Sequence, residues 1–277
     1  MNIIGILKDA FLFPSKNTGK FAMYLLLSVL IAGFAFGGIL TYGFGLFNDE
    51  YYLLGGIYLI ISLLIGCIIS GYHIKIIKSG IELDDNVPAF KLYDDFMTGF
   101  DNILVSIFYF IIPALIVILV SYDTNLFSNA IAIVEEFISQ LFNVFIMGDS
   151  IDIALNALSQ SVTAFAVSLA ITITTALILF LIFSIIQSIA EARLANTGSL
   201  REALNIFEAI KDIIKIGVGK VILVSLLIIV IIALIEIILI TLLSNYLFLL
   251  VIILIIITPY LTLVIQRALG LLYSDIA

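Results

Sequence analysis

Long runs of apolar residues alternate with short polar stretches along this 277-residue chain. An α-helix rises about 1.5 Å per residue, so about 20 apolar residues are needed to cross the hydrocarbon core of a bilayer. Six segments are long enough, and we predict that each forms a transmembrane helix. The six segments are Phe21–Tyr42, Leu53–Ile74, Asn102–Tyr122, Val162–Gln187, Val221–Leu243 and Tyr246–Gln266.

A further apolar segment, residues 126–147, has a different pattern. On a helical wheel its apolar residues, among them Phe127 and Ile131, form one face, and polar residues lie opposite. It also contains two adjacent carboxylates, Glu135 and Glu136, each of which would cost about 2.5–3.5 kcal/mol at the middle of a bilayer. We therefore predict an amphipathic helix that lies in the outer interface. Insertion into the membrane is the alternative.

Composition and charge support the membrane class and indicate an orientation. The chain is 63% hydrophobic and 12% charged, whereas soluble domains are about 25% charged. Basic residues are retained on the cytoplasmic side of a membrane. With six crossings, every Lys and Arg falls in the cytoplasmic regions 1–20, 75–101, 188–220 and 267–277, and the outer loops hold only acidic charges. We expect a multi-pass protein of the cell membrane with both termini in the cytoplasm.

A short amphipathic segment precedes each helix that runs outward. These segments cover residues 2–11, 88–100 and 199–215. The third begins with Ser199 and Glu202 in the Ser-x-x-Glu spacing of a capping box. Each segment carries an aspartate at a similar place, and each returning helix ends in a basic residue. The aspartates are Asp9, Asp95 and Asp212, and the basic residues are Lys75, Arg193 and Arg267.

These similarities indicate three tandem units within a single membrane domain, residues 1–277. Each unit consists of an interfacial helix followed by a helical hairpin, and the units lie near 1–80, 81–198 and 199–277. Amphipathic segments beside a membrane resemble one another in any case, so chance similarity is the alternative. The predicted fold class is all-α, with six transmembrane helices in three hairpins.

Small residues indicate where the first two predicted helices pack closely. Gly33 and Gly37 are four residues apart in the first helix, and Gly66 and Ser70 have the same spacing in the second. Small residues at this spacing let two helix backbones approach each other in a membrane.

Three stretches in the middle of the chain carry a family resemblance: GYHIKIIKSG, VPAFKLYDDFMTGF and ILVSIFYFIIP. They resemble a family of archaeal polytopic membrane proteins catalogued as a domain of unknown function, number 4013. The resemblance implies an archaeal cell membrane, and it supplies no catalytic residue. The residues that carry it are Gly71, Tyr72, Gly80, Pro88, Phe90, Gly99, Tyr109 and Pro113.

The search for catalytic or ligand-binding motifs gives little. The single histidine, His73, cannot form a His-x-x-x-His metal site. The two Gly-Lys pairs lack the Ser or Thr and the first glycine of a P-loop. We therefore expect no enzymatic activity, no cofactor and no metal, and we expect no nucleic-acid partner.

One carboxylate lies inside a predicted transmembrane helix. Glu236 is placed in the outer half of the fifth segment, and an ionisable residue at that depth is a functional hypothesis by default. Hydroxyl groups on the fourth segment, including Thr172 and Thr175, are candidate partners.

Two functions are consistent with the sequence. The first is a non-enzymatic membrane protein that organises the lipid bilayer, a second copy of itself or another membrane protein, with its amphipathic segments as a cytoplasmic collar. The alternative is a small-solute or ion transporter that uses Glu236 as a coupling residue.

Overall fold

The computed structural model describes residues 2–148 and 150–277, and those residues form helices and connecting turns without a strand. Short turns of 3₁₀-helix (Phe13–Lys16) and π-helix (Asn143–Met147) lie between the α-helices. One of the predicted outer acidic residues, Asp149, lies outside the described residues. The helices are α1 (Ile3–Leu12), α2 (Thr18–Phe44), α3 (Glu50–Ile81), α4 (Leu92–Asp123), α5 (Leu126–Phe142), α6 (Ile151–Thr197), α7 (Leu200–Ala203), α8 (Ile206–Ile216), α9 (Val218–Leu243) and α10 (Leu247–Tyr273).

Seven helices are long and apolar enough to cross a membrane. Five of them contain a predicted segment, and a sixth, Leu247–Tyr273, begins one residue after the start of the last predicted segment. The seventh is Leu126–Met147, for which the sequence predicts an interfacial helix. The all-α class is therefore confirmed, and the seven long apolar helices are typical of a membrane protein. The count of six crossings stays a prediction, because length and composition also allow the seventh helix to cross.

Side-chain caps explain where several helices begin. The side chains of Asn2, Asn17, Ser199 and Asn205 each accept a hydrogen bond from a backbone N–H in the first turn of α1, α2, α7 and α8, respectively. Such caps satisfy N–H groups that have no partner within the helix. The predicted cap at Ser199 is thus present, and its partner is the backbone N–H of Glu202.

The amphipathic segments differ from the prediction in their boundaries. The first forms α1 as expected, but the third is split, because a new cap at Asn205 separates α7 from α8. The second segment is not a separate helix: it is the beginning of α4, which continues through Gly99 into the apolar part. Gly99 lies within this helix, where it packs closely on α3.

The chain divides into two compact units, which are described separately. The first unit contains the chain through Ile107 together with Ile185–Ala277, and the second is Phe108–Ser184. Helices α4 and α6 contribute residues to both units.

In the first unit, α3 is the central helix, and it packs along both α2 and α10. Helices α2 and α3 run antiparallel, since a hydrogen bond of 3.2 Å joins Ser62 Oγ to the Ile31 carbonyl and Tyr42 packs beside Gly55. The core lies at the end of these helices that also carries α1. Its buried members are Phe13, Tyr24, Leu27, Ile69, Tyr72, Ile76, Val87 and Leu263.

In the second unit, α5 packs antiparallel to the first half of α6. Asn129 donates to Ser168 Oγ at 3.3 Å, and Leu141 lies beside Ala154 around a shared apolar cavity. Beyond the end of α4, Thr124 lies 3.5 Å from Thr172. The end of α4 therefore lies beside α6 near residue 172. The predicted fourth crossing starts ten residues earlier along α6, at Val162.

Candidate functional site

One end of the first unit gathers the basic residues, and we call it the basic end. It comprises residues 2–20, 75–101, 188–220 and 267–277, which hold all the Lys and Arg residues. Contacts among these four ranges join them into one region. Lys16 pairs with Asp85 at 2.6 Å, for example, and Lys220 pairs with Asp275.

Three ion pairs, each with at least one buried partner, organise the basic end, and each joins an amphipathic segment to the end of a long helix. In the second and third segments, the aspartate pairs with a base on the long helix that precedes the segment. No long helix precedes the first segment, and its aspartate pairs with the base on the last helix. The pairs therefore form a closed cycle through the chain. They are Asp95 on α4 with Lys75 on α3, Asp212 on α8 with Arg193 on α6, and Asp9 on α1 with Arg267 on α10.

Arg267 is the most enclosed of these bases, with only 1% of its surface exposed. Its Nε donates to Asp9 at 2.8 Å, and its Nη1 donates to Ser79 Oγ at 3.2 Å and to the Asp84 carbonyl at 2.8 Å. The guanidinium also lies over the Phe13 ring, 4.3 Å from the centroid. A guanidinium presents five donors in a fixed plane, so one side chain connects α1, α3 and α10.

In the pair of Asp212 with Arg193, the carboxylate accepts hydrogen bonds from more than one donor. Asp212 accepts hydrogen bonds from Arg193, from Tyr273 at 2.9 Å and from Lys215 at 3.2 Å. Burial alone would raise the pKa of the Asp212 carboxyl, but these hydrogen bonds outweigh it and hold the pKa below its ordinary value. The carboxylate is thus charged and paired although it is only 2% exposed.

The pair of Asp95 with Lys75 lies where the backbones of α3 and α4 touch. Asp95 is fully buried beside Lys75, and the Asp95 carbonyl oxygen lies 1.8 Å from where a Cβ on Gly71 would be. One turn further along α4, a Cβ on Gly99 would lie 1.7 Å from the Cys67 carbonyl oxygen. Only glycine fits at these two positions, because the backbones of α3 and α4 are in direct contact there.

The family-like residues cluster around these contacts. The Tyr72 ring stacks on Phe90 at 3.8 Å between centroids, and its hydroxyl donates to the Pro88 carbonyl at 3.3 Å. Gly80 faces Gly270 of α10, where a Cβ would lie 2.9 Å from a backbone carbon. In the second unit, Tyr109 and Pro113 are buried residues of α4, which continues through the proline.

The predicted packing residues contribute unequally. A Cβ on Gly33 would meet no heavy atom of the described residues within 4 Å, and one on Gly37 would only touch Tyr58 at 3.8 Å. Gly66 faces Ile31 at 3.1 Å, and Ser70 accepts a hydrogen bond from Asn102. Closer approaches of α2 and α3 occur at Gly38 and Gly55, where a Cβ would lie 2.9 Å and 2.5 Å from the other helix.

Glu236 is half-buried on α9, and it has no hydrogen-bond or ion-pair partner among the described residues. Thr172 is buried in the second unit and donates to the Ser168 carbonyl at 2.9 Å, while Thr175 is half-buried one turn later. The hypothesis that Glu236 bonds to these hydroxyls therefore gains no support. His73 and Tyr24 share a hydrogen bond, in which the His73 Nε2 atom lies 2.7 Å from the Tyr24 hydroxyl oxygen.

Apolar side chains on the outer surface of the basic end complete the site. On α8, Phe207, Ile210 and Ile214 share one face of the helix, and all three side chains are exposed. Tyr93 and Met97 are exposed in the same way at the beginning of α4. In both segments the aspartate points into the protein, and the large apolar side chains point away from it.

The sequence identified the aspartates and the bases but not their pairing. The signal was the similar place of Asp9, Asp95 and Asp212 in the three segments, which the structure explains by one shared role. Within the described residues, no group of three or more His, Cys, Asp or Glu side chains is arranged to hold a metal ion.

Comparison with known proteins gives a family. A family model described as Protein of unknown function (DUF4013) matches residues 54–244, which is more than half of the chain. The resemblance of the central motifs to the domain of unknown function number 4013 is thereby confirmed, while the archaeal cell membrane stays a prediction. No curated protein and no solved structure matches the chain.

Proposed function

Because the chain belongs to the family of proteins of unknown function DUF4013, we propose its function from its own geometry. It is a non-enzymatic, multi-pass membrane protein that organises the bilayer around its basic end. Its three amphipathic segments form a collar in the cytoplasmic headgroup layer. The lipid bilayer is its partner at this surface.

The observation that carries this proposal is the direction of the side chains on α8. Asp212 is buried in its ion pairs, while Phe207 and Ile214 are 79% and 63% exposed. In water this arrangement would be unfavourable, since each large apolar side chain costs roughly 1.5–3 kcal/mol when it is not buried. A helix at a bilayer surface buries such a face about 5–10 Å into the boundary between headgroups and acyl chains.

The charge distribution supports the orientation. All Lys and Arg residues fall at the basic end, which on the positive-inside rule is the cytoplasmic end. With both termini there, the number of crossings is even, and six crossings leave residues 126–147 in the outer interface. The cycle of ion pairs supports three tandem units of one interfacial helix and one hairpin, because each unit contributes one aspartate and one base.

The collar can be tested by measuring the depth of single residues of α8 in a bilayer. Nitroxide labels are attached to single cysteines at positions 207, 210 and 214 in a Cys67→Ser chain reconstituted in nanodiscs, with positions 208, 211 and 215 as the matched set. We expect the first set to be accessible to oxygen, which partitions into lipid. The second set should be accessible to a water-soluble nickel reagent. Equal accessibility of both sets to the nickel reagent would contradict the proposal.

The transporter alternative has less support. An intramembrane coupling residue is expected to pair with other polar groups or to line a polar cavity, and Glu236 has no such partner among the described residues. Its half-buried position in α9 therefore gives no reason to prefer transport over organisation of the membrane.

A further inference from the structure

A separate group of polar side chains joins α3, α4 and α6 at the entrance to their apolar parts. Asn102 on α4 donates to Ser70 Oγ on α3 at 2.9 Å. Gln187 on α6 donates to Ser106 Oγ at 3.1 Å and to Glu191 Oε1 at 2.6 Å. Asn102 also lies beside Glu191, where its side chain opposes the burial that raises the pKa of that carboxyl. We call these five residues the polar cluster.

The polar cluster contains an acceptor without a donor. Asn102 is only 4% exposed, and its Oδ1 atom is buried without a hydrogen-bond partner among the described residues. A buried amide oxygen that lacks a donor costs about 1–3 kcal/mol. Its Nδ2 atom already donates to Ser70 Oγ, so the orphan oxygen marks a place where a positive partner would be stabilising.

The polar cluster also contains an acid without a basic partner, and burial raises the pKa of this carboxyl, Glu191, to about 7. Glu191 forms no ion pair among the described residues. The bases on the neighbouring helix ends are engaged elsewhere, since Lys75 pairs with Asp95 and Arg193 with Asp212. A carboxylate in these surroundings is unfavourable unless a cation compensates it.

We propose that the polar cluster binds one monovalent metal cation of the alkali class. Carboxylate, carbonyl and hydroxyl oxygens are the ligands that hard cations take, and the cluster offers Glu191, Asn102 Oδ1 and the hydroxyls of Ser70 and Ser106. A single carboxylate balances one positive charge. Calcium sites usually take six to eight oxygens, several of them from carboxylates, so the charge of the cluster favours a monovalent ion. The bound ion ties α3, α4 and α6 together.

The proposal goes beyond membrane organisation and can be tested on the purified full chain. Cys67 is the only cysteine and is 3% exposed, so a thiol-reactive fluorogenic dye reports thermal unfolding. NaCl and KCl are titrated at pH 7 and at constant ionic strength, with choline chloride as the replacement salt. For a site half-filled near ten millimolar, we expect Tm to rise by about 4 °C at 300 mM and, above about ten millimolar, to increase with the logarithm of the ion concentration.

Three variants separate the proposed site from a general salt effect. Glu191→Gln removes the charge and is expected to abolish the rise in Tm, and Ser106→Ala is expected to move it to higher salt. Glu82→Gln makes the same change at an exposed position and should keep the wild-type response. If Glu191→Gln does not fold, the salt dependence of Tm in Ser106→Ala still tests whether the ion binds at the polar cluster.

Several outcomes would overturn the proposal. One is a wild-type Tm that does not change when Na⁺ or K⁺ replaces choline. Another is a Tm that rises only when the pH is lowered, because Glu191 would then be neutralised by a proton. An unchanged response in both Glu191→Gln and Ser106→Ala would place the ion elsewhere.

Discussion

Replacing Gly99 by alanine is expected to lower the stability of the protein by about 3 kcal/mol, near the upper end of what overpacking costs. The new Cβ would lie 1.7 Å from the Cys67 carbonyl oxygen and 2.7 Å from the Gly71 backbone nitrogen. All these atoms belong to helix backbones, so no side chain can rotate away. Helices α3 and α4 would have to separate, which would also open the pair of Asp95 with Lys75. The measurement is Tm in detergent.

Gly33→Ala is the matched control for this experiment. It makes the same change inside a helix, but at a position where no described heavy atom lies within 4 Å of the new Cβ. Alanine is favoured over glycine in a helix by roughly 0.5–1 kcal/mol, so Tm should stay the same or rise slightly. Equal losses in the two variants would show that helix contact at Gly99 is not the cause.

Replacing Arg267 by methionine is expected to cost about 3–5 kcal/mol, as for other buried ion pairs that lose one partner. Methionine keeps much of the volume but removes the donors to Asp9, Ser79 and the Asp84 carbonyl. It also removes the cation from the Phe13 ring. Since α1 is joined to α10 through this residue, α1 should detach first, and proteolysis near residue 12 should become faster.

Two further variants make the interpretation specific. Arg267→Lys keeps the charge but not the planar set of donors, so its loss should be intermediate. Lys78→Met removes a base from the same end of the protein, where it is exposed and lies 3.9 Å from Glu82. Exposed pairs of this kind contribute about 0.3–0.5 kcal/mol. A similar loss in Lys78→Met and Arg267→Met would contradict the role of the buried pair.

Local pattern was enough to locate the helices. Each of the six predicted segments lies within a long helix or nearly so, because an apolar run of about 20 residues has few alternatives in a membrane. The segment 126–147 was harder, since its amphipathic face and its two glutamates indicate an interface whereas its length and mean hydropathy allow a crossing. A helical wheel shows which residues share a face but not what that face meets.

The contacts at the basic end depend on tertiary structure, which the sequence could not supply. Asp9 and Arg267 are 258 residues apart, and Arg193 and Asp212 are 19 apart. Their similar places in the three segments could be recognised, but a pattern does not say which acid meets which base. The close approach at Gly71 and Gly99 was missed for the same reason: these glycines are 28 residues apart and belong to different helices. The expected Gly33–Gly37 contact followed a general spacing rule, and the closer approaches of α2 and α3 occur instead at Gly38 and Gly55.

The polar cluster was missed for a different reason. Glu191 follows the predicted end of the fourth crossing at Gln187, so it was counted as a cytoplasmic surface charge. In the structure α6 continues to Thr197, and Glu191 lies against Asn102 of α4. Glu236 attracted attention because it stands alone in an apolar run, but the carboxylate with polar neighbours is Glu191.

The central claim is that all three amphipathic segments lie on one side of the membrane, where they are tied together by the cycle of ion pairs. The most direct test is labelling of single cysteines at positions 8, 94 and 211, each in a Cys67→Ser chain, with a membrane-impermeant thiol reagent. In sealed vesicles of one orientation we expect these three positions to react from the same side, and a cysteine at position 152 to react only from the opposite side. If any one of the three reacted from the side of position 152, neither the collar nor the cycle of ion pairs could be correct.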